Sequence, residues 1–471
     1  MPSSSPYGDI DASTSPVHEL IMDFIQVHAD ANPNKKVFIT AENPSDFLTF
    51  GQLRDSVHAV SQFLHNMGFT RQTACTVMAN SHRFFSFFLG VAMQGGTFSG
   101  VSALFTEFEL ERQLVDCKCT AILTDMEHLD RVLRLIIVAD ASKYELSPGL
   151  YSWDDVISTR PDPRRLPVET SPEDVVFLPY SRCRLQIEMQ QANPIDISQE
   201  HILNYLPFYH AAGFGSACTS VITGATGVII THFDPALFLE CIQNYKIRIL
   251  TTVPPILVLL AKSPLCKQYD ISSLQRVVCG AAPAGKEICD EVLKKHKHIE
   301  YIEQVFGMSE VSIASHIPDA GSRKKTGSSG KLAAGLQQMV VDTETGEELP
   351  NGRTGELCLK GPTVMLGYYG RDICYIDDEG DLFVVDRLKE LIKVKALQVA
   401  PAELEDILLS HPKIMDAAVI GPEDVFMFIK DKVAPYKLLK GGVEFIKAIP
   451  KAPTGKILRR QLKELHMRAK M

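Results

Sequence analysis

Along the chain, short apolar or β-branched runs alternate with stretches whose apolar residues recur at helical spacing. TACTVMAN (73–80) predicts a strand, and SHRFFSFFLGVAMQGG (81–96) a helix that stops at paired glycines. TAILTD (120–125), TGVIITH (226–232), IRILTTVPP (247–255) and RVVCGAAP (276–283) predict further buried strands, several preceded by helices such as PALFLECIQNY (235–245). Strand–helix alternation of this kind argues for an α/β architecture with parallel sheets, because a crossover helix covers each pair of parallel strands.

Near residue 340 the grammar changes. QQMVVDTETGEELPNGRTGELCLKG (337–361) predicts hairpins with Gly and Asn turns, a small antiparallel or barrel-like β unit. After Lys389 a small α+β pattern follows, with Ala402–Leu409 as an amphipathic helix. The expected organisation is a large N-terminal domain, 1–388, of parallel-rich sheets with helices plus the β unit, then a small C-terminal domain, 389–471.

Composition narrows the function. The chain has 471 residues, 45% of them hydrophobic, enough for a substantial core, and a net charge of −9 spread along its length. No basic block interleaved with aromatics is present, so no nucleic-acid partner is expected. The 11 cysteines form no CxxC pair. Cys117/Cys119 and His296/His298 come nearest to ligand spacing but have no matching second pair, so no zinc site is expected and the cysteines read as reduced, mostly buried thiols of an intracellular protein. The start of the chain lacks a signal-peptide pattern, and no apolar run is long enough for a membrane span. The closing Ala469, Lys470 and Met471 loosely match a peroxisomal address, which makes the peroxisome or the cytoplasm the expected location.

Four stretches carry candidate chemistry. GAAPAGKE (280–287) has the Gly-x4-Gly-Lys spacing of a phosphate loop, but Glu287 stands where Ser or Thr should. EQVFGMSE (303–310) sets a hydroxyl and a carboxylate side by side after a glycine turn, a donor pair suited to a hard cation, or simply a turn ending in a helix cap. VVDRLKELIKVKALQVAPAELE (384–405) alternates lysines with apolar residues and could equally be a hairpin with solvated lysines. PKAPTGKILRR (450–460) presents Lys456 at the tip of a Pro/Gly turn, an arrangement that offers one ammonium group to a phosphate.

Taken together and in this order, with LPFYHAAGFG (206–215) and TGELCLKGP (354–362), these stretches resemble the adenylate-forming enzymes: acyl-CoA synthetases, 4-coumarate–CoA ligases and beetle luciferases. The resemblance runs from about Val17 to Leu465. It implies an ATP-dependent acid–CoA ligase that makes an acyl-adenylate from a fatty or aromatic carboxylic acid and then a coenzyme A thioester. ATP, Mg²⁺ and coenzyme A are the implied cofactors.

The same resemblance implies roles for individual residues. Gly280, Ala281 and Ala282 would form a wall against the adenine, where small residues suit close approach of backbone to a flat base. Phe306 would stack on that base, Gln304 and Val305 would line the acyl-adenylate, Ser309 would contact phosphate and Glu310 would hold Mg²⁺. Arg387 would bind the ribose hydroxyls together with Asp372, fifteen positions earlier. Lys389 would be the hinge of the small domain. Lys456 would serve adenylation, and Lys393 would serve the thioester step with Lys395 and Ala396 along the coenzyme A path. His210, Ala212 and Ser216 would stand at the acyl pocket.

The family pattern breaks in three places. After Ser181 the Ser/Thr/Gly-rich loop that wraps the β- and γ-phosphates is replaced by RCRLQIEMQQANPIDISQEH (182–201), which has no glycine. Further segments are missing near 370 and near 421–425. Each break falls between well-matching stretches, as in a skipped exon or a faulty gene boundary. The alternative function is therefore a catalytically impaired splice variant or pseudoenzyme that binds adenylates without turnover. A light-emitting oxygenase is a third possibility on the same fold.

Overall fold

The computed structural model describes residues 3–6, 15–103, 105, 107–132, 135–138, 147, 149–165, 167–171, 176–178, 197–308, 311, 314–318, 325, 327–343, 345–361, 364, 372–376, 382–387, 392–394, 397–399, 405, 417–418, 446, 448–450 and 462. Two compact units emerge, Asp11–Ile247 and Arg248–Met471 with Met1–Ile10. The boundary expected at Lys389 lies outside the described residues. Of the helix expected over Ala402–Leu409, Glu405 alone is described, and it is helical.

The chain opens with a two-residue strand β1 (Ser3–Ser4), which joins the second unit. In the first unit, helix α1 (Val17–Ala31) buries Leu20, Ile21, Ile25 and Ala29 along one stripe. It leads into the hairpin β2 (Lys36–Thr40) and β3 (Asn43–Thr49). Helix α2 (Phe50–Asn66) starts on a capping box. The Thr49 hydroxyl accepts from the Gln52 amide at 3.2 Å, and the Gln52 side chain accepts from Thr49 N–H at 2.9 Å.

Strand β4 (Thr73–Val77) and helix α3 (Arg83–Ala92) fall where the pattern put them. Every residue from Phe84 to Ala92 is buried, so α3 has no solvent face. Gly90 is the point of close approach to α2: a Cβ there would lie 2.4 Å from Val60 Cγ1. The chain then runs through β5 (Thr97–Val101), α4 (Glu107–Asp116), β6 (Cys119–Thr124), β7 (Leu135–Val138), β8 (Leu150–Ser152), α5 (Trp153–Ile157) and β9 (Phe177–Leu178). These strands form a six-stranded sheet of order β8-β7-β6-β4-β5-β9, parallel throughout.

Strands β10 (His201–Asn204) and β11 (Thr226–Ile229) flank helix α6 (Ala211–Thr223), and helix α7 (Pro235–Asn244) closes the unit. They build a second sheet of order β10-β11-β2-β3, with only the β2–β3 pair antiparallel. The buried aromatic cluster of Phe84, Phe85, Phe88, Phe98, Phe208 and Phe214 joins α3, β5 and α6 through edge and stacked contacts.

The second unit repeats the strand–helix grammar in β12 (Ile249–Thr252), α8 (Pro254–Lys262), β13 (Arg276–Cys279), α9 (Lys286–Lys295) and β14 (Tyr301–Gln304). The three strands are parallel and pair in chain order. A short pair, β15 (His316–Ile317) and β16 (Lys331–Leu332), precedes the change of grammar. From there β17 (Gln337–Val341), β18 (Gly355–Lys360), β19 (Asp372–Ile376) and β20 (Leu382–Arg387) form antiparallel neighbours, with β1 added at the β17 edge. A last hairpin joins β21 (Ile392–Val394) and β22 (Leu397–Val399). The mixed α/β class read from the pattern is the class observed, with parallel sheets first and the antiparallel sheet following near residue 340.

Candidate functional site

In the second unit the sheet β12-β13-β14 ends in step, Thr252 opposite Cys279 and Cys279 opposite Gln304. The ladder runs one bond further on each side: Gly280 N–H donates to Thr252 O at 3.0 Å and Val305 N–H to Cys279 O at 2.9 Å. The segments after β13 and β14 therefore leave the carboxyl edge as neighbours, the edge where open α/β sheets hold ligands.

The 280–285 loop is locked by one side chain. Gln304, 8% exposed, donates through Nε2 to Ala284 O at 2.9 Å and accepts at Oε1 from Ala284 N–H at 3.0 Å. That geometry answers the phosphate-loop question. A phosphate cradle needs successive free backbone N–H groups. Here Gly280 N–H is spent on the sheet, Pro283 has none, and Ala284 N–H is spent on Gln304. What remains is an exposed ledge of Ala281, Ala282 and Pro283 beside buried Ala284, an apolar surface in which the run of free N–H groups is broken at Pro283 and Ala284.

Ala281 holds that ledge at φ 69°, a left-handed conformation unusual for a residue with a Cβ. Gly280 lies against Val305, whose Cγ2 would be 2.9 Å from any added Cβ. Phe306 is half-buried and is anchored by a backbone bridge to His316, with its ring 5.9 Å from the imidazole. His316 is fully buried and fixed on both nitrogens, by Gln338 Oε1 at 2.7 Å and Ser315 Oγ at 3.0 Å. Beneath the edge the carboxylate of Glu303, 2% exposed, is paired with the Arg276 guanidinium.

In the β19–β20 hairpin, Asp372 is the register partner of Arg387. Lys393 pairs with Gln398 across β21–β22. Ser309, Glu310, Lys389, Lys395, Ala396 and Lys456 lie outside the described residues, as does the substituted loop at 182–196.

The first unit carries the other candidates, again beyond the carboxyl ends of parallel strands. His210 caps α6: its Nδ1 accepts from Ala212 N–H at 3.4 Å, and its carbonyl accepts from Phe214 N–H at 2.9 Å. An Nδ1 acceptor places the proton of the neutral ring on Nε2. Asn80, just past β4, braces the turn before His210 by donating to Leu206 O at 3.0 Å and accepting from Phe208 N–H at 2.9 Å. Gly213 lets α6 start beneath that turn, since a Cβ would lie 2.1 Å from Pro207 O.

The Ser216 hydroxyl donates to Asn204 Oδ1 at 2.7 Å inside the β10–α6 packing. Sequence reasoning missed Asn80, Ser102 and Tyr209. Tyr209 sits over Gly100, where an added Cβ would come 2.6 Å from Tyr209 Cβ, and its hydroxyl accepts from Ser102 Oγ at 3.2 Å. Burial raises the Tyr209 phenol, partly offset by that donated bond. A tyrosine beside the singled-out His210 was the available signal.

Residues 25–181 and 183–369 match the AMP-binding enzyme family. The chain belongs to this family. It is similar to acyl-CoA synthetase 7 of Caenorhabditis elegans, 32% identical over 528 residues and covering 97% of each chain. It is likewise 32% identical to 4-coumarate–CoA ligase 2 of Nicotiana tabacum over 489 residues, spanning 88% of this chain and 89% of the relative. Its fold is similar to that of an anthranilate CoA ligase, AuaEII, in complex with anthranoyl-AMP, with a TM-score of 0.82 at 21% identity over 96% of this chain and 98% of that one. Members of this family act on small molecules, and among the described residues no helix is long and apolar enough to cross a membrane.

Proposed function

We propose that this protein is an ATP-dependent acid–CoA ligase. A carboxylate attacks the α-phosphate of ATP, pyrophosphate leaves, and the thiol of coenzyme A then displaces AMP from the acyl carbonyl. The observation that carries this reading is the ledge of 280–284 clamped by Gln304 beside Phe306, at the carboxyl edge of a parallel sheet. It suits a base stacked on one side and walled on the other.

The remaining roles follow the family pattern. Asp372 and Arg387 serve the ribose, Lys456 the carboxylate and α-phosphate, and Lys393 with Lys395 the thioester half. Glu310 would hold Mg²⁺, which would supply charge neutralisation on the phosphates. A fatty or aromatic acid is the substrate class, received beside His210 and Ala212. The Ala469, Lys470 and Met471 pattern, a loose match to a peroxisomal address, makes the peroxisome or the cytoplasm the proposed location.

A second reading is favoured by two observations: the family match breaks at residue 182 and stops at 369, and the alignment with the nematode relative spans 528 positions against 471 residues here. On that reading the scaffold binds adenylates without turnover. Losing one preorganised donor costs about 10²–10³ in rate, and a whole loop costs more. The test is pyrophosphate release from the full chain with Mg-ATP and a panel of fatty and aromatic acids, beside Lys456→Ala. Acid-dependent release that vanishes in the variant supports the ligase. Silence from folded protein that still binds AMP supports the second reading.

A further inference from the structure

Three thiols meet beneath the end of helix α4. Cys75, in the middle of β4, is fully buried; Cys119, the first residue of β6, is 1% exposed; Cys117, just past α4, is half-buried. The pairing of β4 with β6 and a left-handed Lys118 at φ 52° return the chain so that Cys117 Sγ lies 3.6 Å from Cys75 Sγ. Cys119 Sγ is occupied with Ala121 O at 3.2 Å. Among the described residues no cluster of ligands is placed to hold a metal ion.

The surroundings divide the pair. The neighbouring Cys117 and Cys119 sulfurs, with burial, push the Cys75 thiol far up. The hydrogen bond from Cys75 draws Cys117 down, against burial and the charge of Asp116. Reactivity in a cysteine rises with thiolate character and access, and half-buried Cys117, whose Sγ also reaches Leu114 O at 3.7 Å, is better placed on both counts than fully buried Cys75.

We propose that Cys117 is a peroxide-reactive thiol and Cys75 its resolving partner. The Cys117 thiolate attacks one oxygen of hydrogen peroxide; the O–O bond breaks, and the released hydroxide leaves as water after taking a proton, giving a sulfenic acid. The Cys75 sulfur then attacks the Cys117 sulfur, its proton passing to the departing hydroxide as a second water. Two thiols are oxidised to one disulfide and one peroxide is reduced to two waters. The sulfurs need to close by about 1.5 Å to reach bonding distance, a movement available to a side chain at a helix end. The bond ties α4 to the central strand of its sheet.

The test uses the full chain treated with equimolar hydrogen peroxide, alkylated, and digested without reductant for mass spectrometry. The expected result is a linked Cys75–Cys117 peptide pair that dithiothreitol removes, with alkylation of Cys117 falling by about tenfold on oxidation. In Cys75→Ala, Cys117 is expected to stop at a sulfenic acid that dimedone traps, and Cys117→Ala is expected to leave Cys75 reduced. Recovery of both residues as alkylated thiols from the oxidised native chain overturns the proposal. So does a disulfide joining Cys117 to any other cysteine. The native measurement stands whether or not either variant folds.

Discussion

The side-chain amide of Gln304 closes a ring of two hydrogen bonds on the backbone of Ala284, twenty residues earlier. Both partners are buried, so neither bond is exchanged for water without cost. Gln304→Ala is expected to lose about 1–3 kcal/mol of stability, two bonds at about 0.5–1.5 each, and to weaken AMP binding because the ledge is released. Gln304→Glu is expected to be worse, since it turns an acceptor toward Ala284 O and buries a charge. Denaturant midpoints and AMP titration read both effects. Unchanged AMP affinity in a destabilised variant would separate the clamp from the nucleotide.

Ala281 gives the opposite sign. Its left-handed backbone costs a residue with a Cβ roughly 1 kcal/mol or more, and its exposed side chain makes no buried contact to lose. Ala281→Gly is expected to raise the denaturant midpoint by the equivalent of about 0.5–1 kcal/mol, after the entropy that glycine adds to the unfolded chain. A lower midpoint would mean that this conformation is not held in solution.

Asp372 and Arg387 are register partners although fifteen positions separate them. If both serve one ribose, each alanine variant is expected to weaken AMP binding by roughly 10- to 100-fold, the range for one charge-assisted hydrogen bond. The double variant is expected to lose less than the product of the two, because the groups share a target. Strictly multiplicative losses by calorimetry would argue that they act apart.

These cases show how far the sequence reached. Strand and helix positions in both units were legible because buried parallel strands are short apolar runs and their crossover helices carry a 3.6-residue period, as in β4 and α3. The pairing of Asp372 with Arg387 was legible as a spacing within a recognised motif. The inward turn of Gln304 was not, because nothing in EQVFGMSE says whether an amide faces ligand or the neighbouring loop. Ser216 likewise sat in a recognised motif, yet its hydroxyl is spent on Asn204. Cys75 and Cys117 are 42 residues apart and meet only because β4 pairs with β6.

Asp46 supplies a pH dependence. The hydrogen bond from His82 Nε2, at 3.0 Å, holds its carboxyl well below the usual range against the penalty of burial, with the Thr40 hydroxyl and the Arg83 charge helping. A depressed folded-state value means that the stabilisation is present above the unfolded value of about 3.9 and is withdrawn as the pH falls below it. Asp46→Asn is therefore expected to lower the urea midpoint at pH 6 and to flatten its decline between pH 4 and 2. Parallel declines in the two proteins would assign the acid sensitivity to other carboxylates.

Gly213 tests the first unit's candidate site through its backbone. A methyl group there would fall 2.1 Å from Pro207 O and 2.5 Å from Leu206 O, both on the turn that carries His210. Carbonyl oxygens of a turn braced by Asn80 cannot swing aside as a flexible side chain can. Gly213→Ala is expected to cost about 1–3 kcal/mol or more and to shift His210 off its cap on Ala212. If His210 borders the acid, the variant that remains folded raises KM for the acid more than KM for ATP in the pyrophosphate assay. Equal changes in both constants would place the effect on the unit as a whole and detach His210 from the acyl group.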